Sequence, residues 1–195
     1  MTTFEAGVAA RVRMRLAELA AVAERTSREL PTAVAHAAVL MRDTLARGGT
    51  LFFCGNGGSA ADAQHVATEY VVRYVRNRGA FAAVALTTDT SLLTAAGNDL
   101  GFEDIFARQV EGLVKATDLL VIHSTSGNSP NVLRAAQAAR GKGAKVVAFS
   151  ARDGGALRAL ADVAVVIPTD RTDRAQELHL CLEHVICETI EEALA

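Results

Sequence analysis

The chain has no tryptophan, and only seven phenylalanines and two tyrosines among its 195 residues. Platforms that stack nucleic-acid bases need aromatic rings in number, so this composition argues against one. Neither sign of charge dominates: 20 Lys and Arg stand against 22 Asp and Glu, a net charge of −2. There is no basic field to draw in nucleic acid or an acidic membrane surface. The three cysteines, Cys54, Cys181 and Cys187, are odd in number and contain no CxxC pair. That pattern speaks against a disulfide framework or a cysteine-type zinc site and suits a reducing, cytoplasmic setting. Glu5, Arg11, Arg13 and Glu18 run through the apolar positions of the N-terminal segment. It therefore reads as neither a signal peptide nor a membrane span. Internal repeats, low-complexity tracts and inter-domain linkers are also missing.

Half of the residues are hydrophobic, enough for one well-buried domain or a domain with a helical appendage. From about Thr3 to Leu30, apolar residues recur at helical spacing: Val8, Val12, Leu16, Leu19, Ala20 and Ala23. Pro31 fits the first turn of a second helix that runs to Gly48-Gly49. The apolar stripes of this pair suit core packing or a subunit interface, and both readings stand. Beyond Thr50, apolar runs alternate with helical segments. The runs are Leu51–Cys54, Ala82–Leu86, Leu119–His123, Val146–Phe149 and Val163–Ile167. They are nearly continuous, as expected of strands buried on both faces. Helices are expected at Ala60–Arg76, Asp104–Lys115, Asn131–Gly141, Gly155–Ala161 and from about Arg174 to Ala195. The alternation predicts an α/β fold with a parallel sheet between helical layers. Residues 1–49 form a helical pair and residues 50–195 the sheet-bearing part of one compact unit. Ligands in such folds bind beyond the carboxyl ends of the strands.

Three loops lie at those ends. The first, Gly55-Asn56-Gly57-Gly58-Ser59, leads into a helix carrying His65 and Glu69 four residues apart, on one face. Glycine admits close approach of a ligand, and a helix N-terminus offers free N–H groups. Taken alone, the His–Glu pair reads as a solvated pair. It also has the chemistry to ligate zinc or share acid–base duties. The second loop follows Leu86 and reaches Asn98-Asp99 past Asp89 and Gly97. The third, Ser124-Thr125-Ser126-Gly127-Asn128-Ser129, gathers four hydroxyls and an Asn around a Gly before a helix. Hydroxyls and N-terminal amides together bind phosphate with neutral donors; the same composition also makes an ordinary turn and N-cap. It is not a Walker A loop, for the GxxxxGK[ST] pattern is absent, and no GxGxxG dinucleotide fingerprint occurs. The last helix contributes Gln176, His179 and His184. Gln176 and His184 lie eight residues, about two turns, apart on one side.

Four segments together resemble a known family: Cys54–Arg73, Gly97-Asn98-Asp99-Leu100-Gly101-Phe102, Ser124–Ser129, and Asp173 to His179. They are similar to the bacterial phosphoheptose isomerases, sedoheptulose 7-phosphate isomerases of the sugar isomerase (SIS) superfamily. The likeness runs in order over nearly the whole chain. It implies a three-layer αβα sandwich with a five-stranded parallel sheet, assembled as a homotetramer. It implies a phosphate site at Ser124, Thr125, Ser126 and Ser129. The sugar would be held by Asn56, Gly57 and Gly58 with Asn98 and Asp99. Glu69 and His184 match the catalytic pair, and His65, Glu69, Gln176 and His184 the ligands of one zinc ion per subunit. Asp173 matches a polar group near the site. The implied reaction converts sedoheptulose 7-phosphate to D-glycero-D-manno-heptose 7-phosphate by enediol-type proton transfer, in the cytoplasm and without nucleic-acid or membrane partners. A carboxylate gripped by zinc is a weaker base, so Glu69 must detach or be loosely held to serve both roles.

Two alternatives belong to the same superfamily. One is a non-catalytic tetramer that binds the replication initiator DnaA; Glu69 and His184, which that group lacks, favour the enzyme. The other is an isomerase or sensor of a different phosphosugar, for which the Ser-rich loop would serve equally. His123 departs from the expected pattern, standing directly before the phosphate loop where a small or apolar residue is expected. It either lends charge to the phosphate or points away.

Overall fold

The computed structural model describes residues Met1–Ala195. Two helices lead: α1 (Thr3–Glu29) and α2 (Pro31–Ala46). Thr2 and Glu5 close a capping box on α1, and Pro31 opens α2 where its missing N–H costs nothing. The alternating part follows: β1 (Leu51–Gly55), α3 (Gly58–Val71), β2 (Ala83–Ala85), α4 (Thr90–Asp99), a 3-10 turn (Phe102–Asp104), α5 (Ala107–Leu113), β3 (Leu119–His123), α6 (Pro130–Gly141), β4 (Lys145–Ala151), α7 (Leu157–Leu160), β5 (Val163–Ile167) and α8 (Thr172–Leu194). All strand pairs are parallel, in the order β2-β1-β3-β4-β5.

Strand residues alternate between the two faces, so each face has its own core. Phe53, Val121, Val147 and Phe149 face one way, onto Met41 of α2, Val66 and Tyr70 of α3, and Ile186 and Ile190 of α8. Phe52, Leu120, Ile122 and Val146 face the other, onto Val110 of α5 and the alanine-rich side of α6. Each such apolar side chain contributes about 1.5–3 kcal/mol on burial. The three-layer sandwich and its five parallel strands are as the sequence implies.

The differences are local. Continuous burial holds for β1 and β3. The edge strands β2 and β5 are partly exposed, because each has a neighbour on one side only. Helix α3 stops at Val71, not Arg76. The β-branched Val71 and Val72 crowd the last turn, and the following backbone N–H groups bond to α8 instead. The stretch expected as a loop after Leu86 contains α4. Asp89 caps it by accepting the Leu92 N–H at 2.9 Å. No helix is long and apolar enough to cross a membrane.

Candidate active site

Strands β1 and β3 are neighbours, and the direction of winding reverses between them. Such a switch point opens a crevice at the carboxyl ends of the strands. Gly55 pairs in register with His123, so the loops after them leave the sheet side by side. Between them lies a cavity of about 140 Å³. Ser59, Ser124, Thr125, Ser126, Ser129 and Thr172 line it, with Asn56, His123 and Gln176. No Lys or Arg lines it. Its hydroxyls, and the N-terminus of the 12-residue helix α6 beside it, have the chemistry to bind an anion.

The loops are locked from several sides. Asn56 and Asn131 exchange amide hydrogen bonds of 2.9 and 2.8 Å, fixing the turn after β1 to the start of α6. Gly127 has φ +63°, and a Cβ there would sit 1.9 Å from the Gly154 carbonyl oxygen. The Gly127 carbonyl accepts the Leu157 N–H at 2.9 Å, and the Asn128 side chain accepts the Ala156 N–H at 2.9 Å. The phosphate loop and the turn after β4 therefore interlock backbone to backbone.

A second cluster forms where α3 meets α8. His65 Nε2 lies 3.2 Å from Glu69 Oε1 and 3.1 Å from His184 Nε2. One ligand atom from each residue falls within 4.8 Å of the others. Two imidazole nitrogens and a carboxylate oxygen form a donor set suited to zinc. Gln176 reaches the first turn of α3: its amide packs over Gly58, where a Cβ would meet it at 2.6 Å, and Nε2 donates to Ser59 Oγ at 3.4 Å. The Tyr74 ring stacks on His184 with centroids 5.0 Å apart and planes 16° apart.

The model of the SIS domain matches residues 16–151. The phosphoheptose isomerase of Helicobacter hepaticus is 51% identical over 162 residues, covering 83% of this chain and 83% of that protein. Among solved structures, phosphoheptose isomerase GmhA from Neisseria gonorrhoeae superimposes with a TM-score of 0.90 at 44% identity, over 95% of this chain and 99% of that one. The phosphoheptose isomerase from Francisella tularensis gives 0.91 at 33% identity, over 98% and 100%. The chain belongs to the phosphoheptose isomerases. Membership in that family selects the enzyme over the DnaA-binding sister group.

Within this phosphoheptose isomerase fold, the residues expected at the site divide into two groups. Asn56, Ser124, Thr125, Ser126, Ser129 and Gln176 meet around one cavity, with Gly57 and Gly58 opening α3 beside it; His65, Glu69 and His184 meet next door. Asn98 and Asp99 end α4 at the surface, where the Asn98 amide donates to the Asp99 carboxylate at 2.7 Å. They line neither the cavity nor the cluster. Asp173 is half-buried and outside the cavity lining. It pairs with Arg171 at 2.6 Å and Arg174 at 3.4 Å, and the Arg171 hydrogen bonds hold its carboxyl down at about 2.

Two further histidines are structural. His179 is buried, donates from Nε2 to the Ser150 carbonyl at 3.0 Å, and is driven down to about 3 by burial. His123 is among the residues lining the cavity, and its imidazole pairs with Glu183: Nε2 lies 2.7 Å from Glu183 Oε2, with both side chains fully buried. Ser59, Thr172, Asn131 and Tyr74 are the site residues that sequence reasoning missed. Ser59 had a signal, since it closes the Gly-rich turn. The others had none, because their roles come from partners far away in the chain.

Proposed function

We propose that this chain isomerises D-sedoheptulose 7-phosphate to D-glycero-D-manno-heptose 7-phosphate. The observation that carries this reading is the convergence of Glu69 and His184, from separate helices, beside a cavity lined by hydroxyls. Ser124, Thr125, Ser126 and Ser129 donate to the phosphate. Asn56 and the open backbone at Gly57 and Gly58 receive the reacting end of the sugar. Glu69 removes the proton from the carbon next to the ketone and returns it to the neighbouring carbon, through an enediol. His184 moves the proton between the two sugar oxygens. His65, Glu69, Gln176 and His184 would hold a zinc ion, one per subunit, whose charge polarises a carbonyl oxygen. Glu69 is best placed for both duties if its grip on the ion is loose, and its one-sided contact with His65 allows that.

The same reading makes the protein a cytoplasmic homotetramer. Three unpaired cysteines support the first part. An apolar stripe on α1, with Phe4, Val8, Val12 and Leu16 exposed, supports the second.

The test is direct. Zinc-loaded protein is incubated with sedoheptulose 7-phosphate, and the aldoheptose anomeric proton is followed by NMR. Glu69→Gln and His184→Gln each lower kcat by about 10²–10⁴. Near wild-type turnover in either variant overturns the assignment. Turnover of a ketohexose 6-phosphate in preference to the heptose would overturn the substrate.

A further inference from the structure

The segment after α3 is held by one buried carboxylate. Glu191, in α8, is 1% exposed. Its Oε1 accepts the Tyr74 N–H at 2.7 Å, and its Oε2 accepts the N–H groups of Val75 and Arg76, both at 2.9 Å. Arg78 Nε lies 2.9 Å from Oε1, and its side chain is equally buried. The Arg78 guanidinium also donates to the backbone carbonyls of Tyr70 and Glu69, each at 2.8 Å, and sits 4.0 Å over the Phe81 ring.

One ion pair therefore joins three things: the last turn of α3 that carries Glu69, the backbone at residues 74–76, and α8, which carries His184. Charge-assisted bonds of this kind are short and strong. They hold the backbone at Tyr74 in place, and from that held point the ring extends to His184. The ring lies flat on His184. Nε2 of that imidazole reaches His65, with Glu69 in the same cluster. With one face covered, the His184 ring is restrained in the orientation that aims Nε2 at His65 and Glu69.

We propose that Tyr74 is a positioning residue for His184. Its ring sets the imidazole, and the Glu191–Arg78 pair is the anchor that places the ring. This rests on the isomerase reading only for the effect on turnover. The effect on the metal cluster and on the ring itself stands apart from it. Groups around a metal-ligating imidazole that set its orientation are worth about 10–100-fold in affinity or rate when removed.

The experiment compares Tyr74→Leu, Tyr74→Ala and Tyr74→Phe in the full-length protein. Three quantities are read: kcat and KM for sedoheptulose 7-phosphate, zinc affinity by competition with a chromogenic chelator, and the His184 ring-proton shifts in metal-free protein. Tyr74→Leu keeps apolar bulk and lacks a flat face, so it folds where Tyr74→Ala is too disruptive. The expected result for Leu and Ala is a fall in kcat of about tenfold, KM within about twofold, zinc affinity weaker by about tenfold, and loss of the upfield ring-current shift on His184. Tyr74→Phe restores all of these. Wild-type kcat and zinc affinity in Tyr74→Leu would overturn the proposal, as would Tyr74→Phe behaving like Tyr74→Leu. If the wild type lacks isomerase activity, zinc affinity and the ring shifts decide alone.

Discussion

His123 and Glu183 form a pair fully buried in the interior. The His123 ring lies between Phe53 and Phe149, with centroids 6.3 and 5.5 Å away, and His179 and Asp62 are its other polar neighbours. Removing one partner of such a pair strands a buried charge and costs about 3–5 kcal/mol, whereas replacing both with apolar groups is often neutral. His123→Leu should therefore be far less stable than the double variant His123→Leu/Glu183→Leu, as read by urea unfolding. Burial pulls the imidazole down, but the Glu183 carboxylate, with Asp62 behind it, holds it above its ordinary value. A group whose folded value is raised stabilises fully below its unfolded value, about 6.5 for His. That stabilisation is lost as pH rises through the folded value. As pH rises above about 6.5, the wild type should lose unfolding free energy that the double variant does not lose. At this scale the sequence was only partly legible. The phosphate hydroxyls sit together in the chain, and a loop composition reveals them. Glu183 meets His123 from 60 positions away, and nothing local marks that pairing.

Elements explain which expectations held. β1 and β3 are buried runs that no other element imitates, and their ends came within a residue of the structure. Helix α4 hid because its apolar residues, Leu92, Leu93, Ala95 and Ala96, are few and sit among Thr, Gly and Asn. Because of that hidden helix, Asn98 and Asp99, read as loop residues, lie at a helix end on the surface. The phosphate loop works as an element only through its interlock with the turn after β4. In Gly127→Ala the left-handed backbone alone costs about 1–2 kcal/mol, and the added methyl would force the two turns apart. The expected outcome is a KM for the phosphosugar raised by about tenfold or more, with a smaller effect on kcat. Steady-state kinetics beside a melting curve would check both.

For the whole molecule, α1 is the element least accounted for by one chain. Its C-terminal half packs on the core through Leu19, Val22 and Ala23, while Phe4 is 80% and Leu16 60% exposed. A patch of this kind is expected to be covered by other copies of the chain. Leu16→Glu with Val12→Glu should reduce the oligomer to smaller species in sedimentation velocity without unfolding the subunit. A single mass for wild type and variant would refute the interface. Chain order has a further consequence. The sheet is complete at Ile167, whereas Gln176, His184 and Glu191 all arrive afterwards on α8. A chain emerging from the ribosome thus has its sheet and its Ser124–Ser129 loop before Thr172, Gln176 and His184 are made, and until α8 docks, Tyr70 and Phe149 lack its cover. The helix that completes the candidate site is also the one that ends this exposure to aggregation during synthesis.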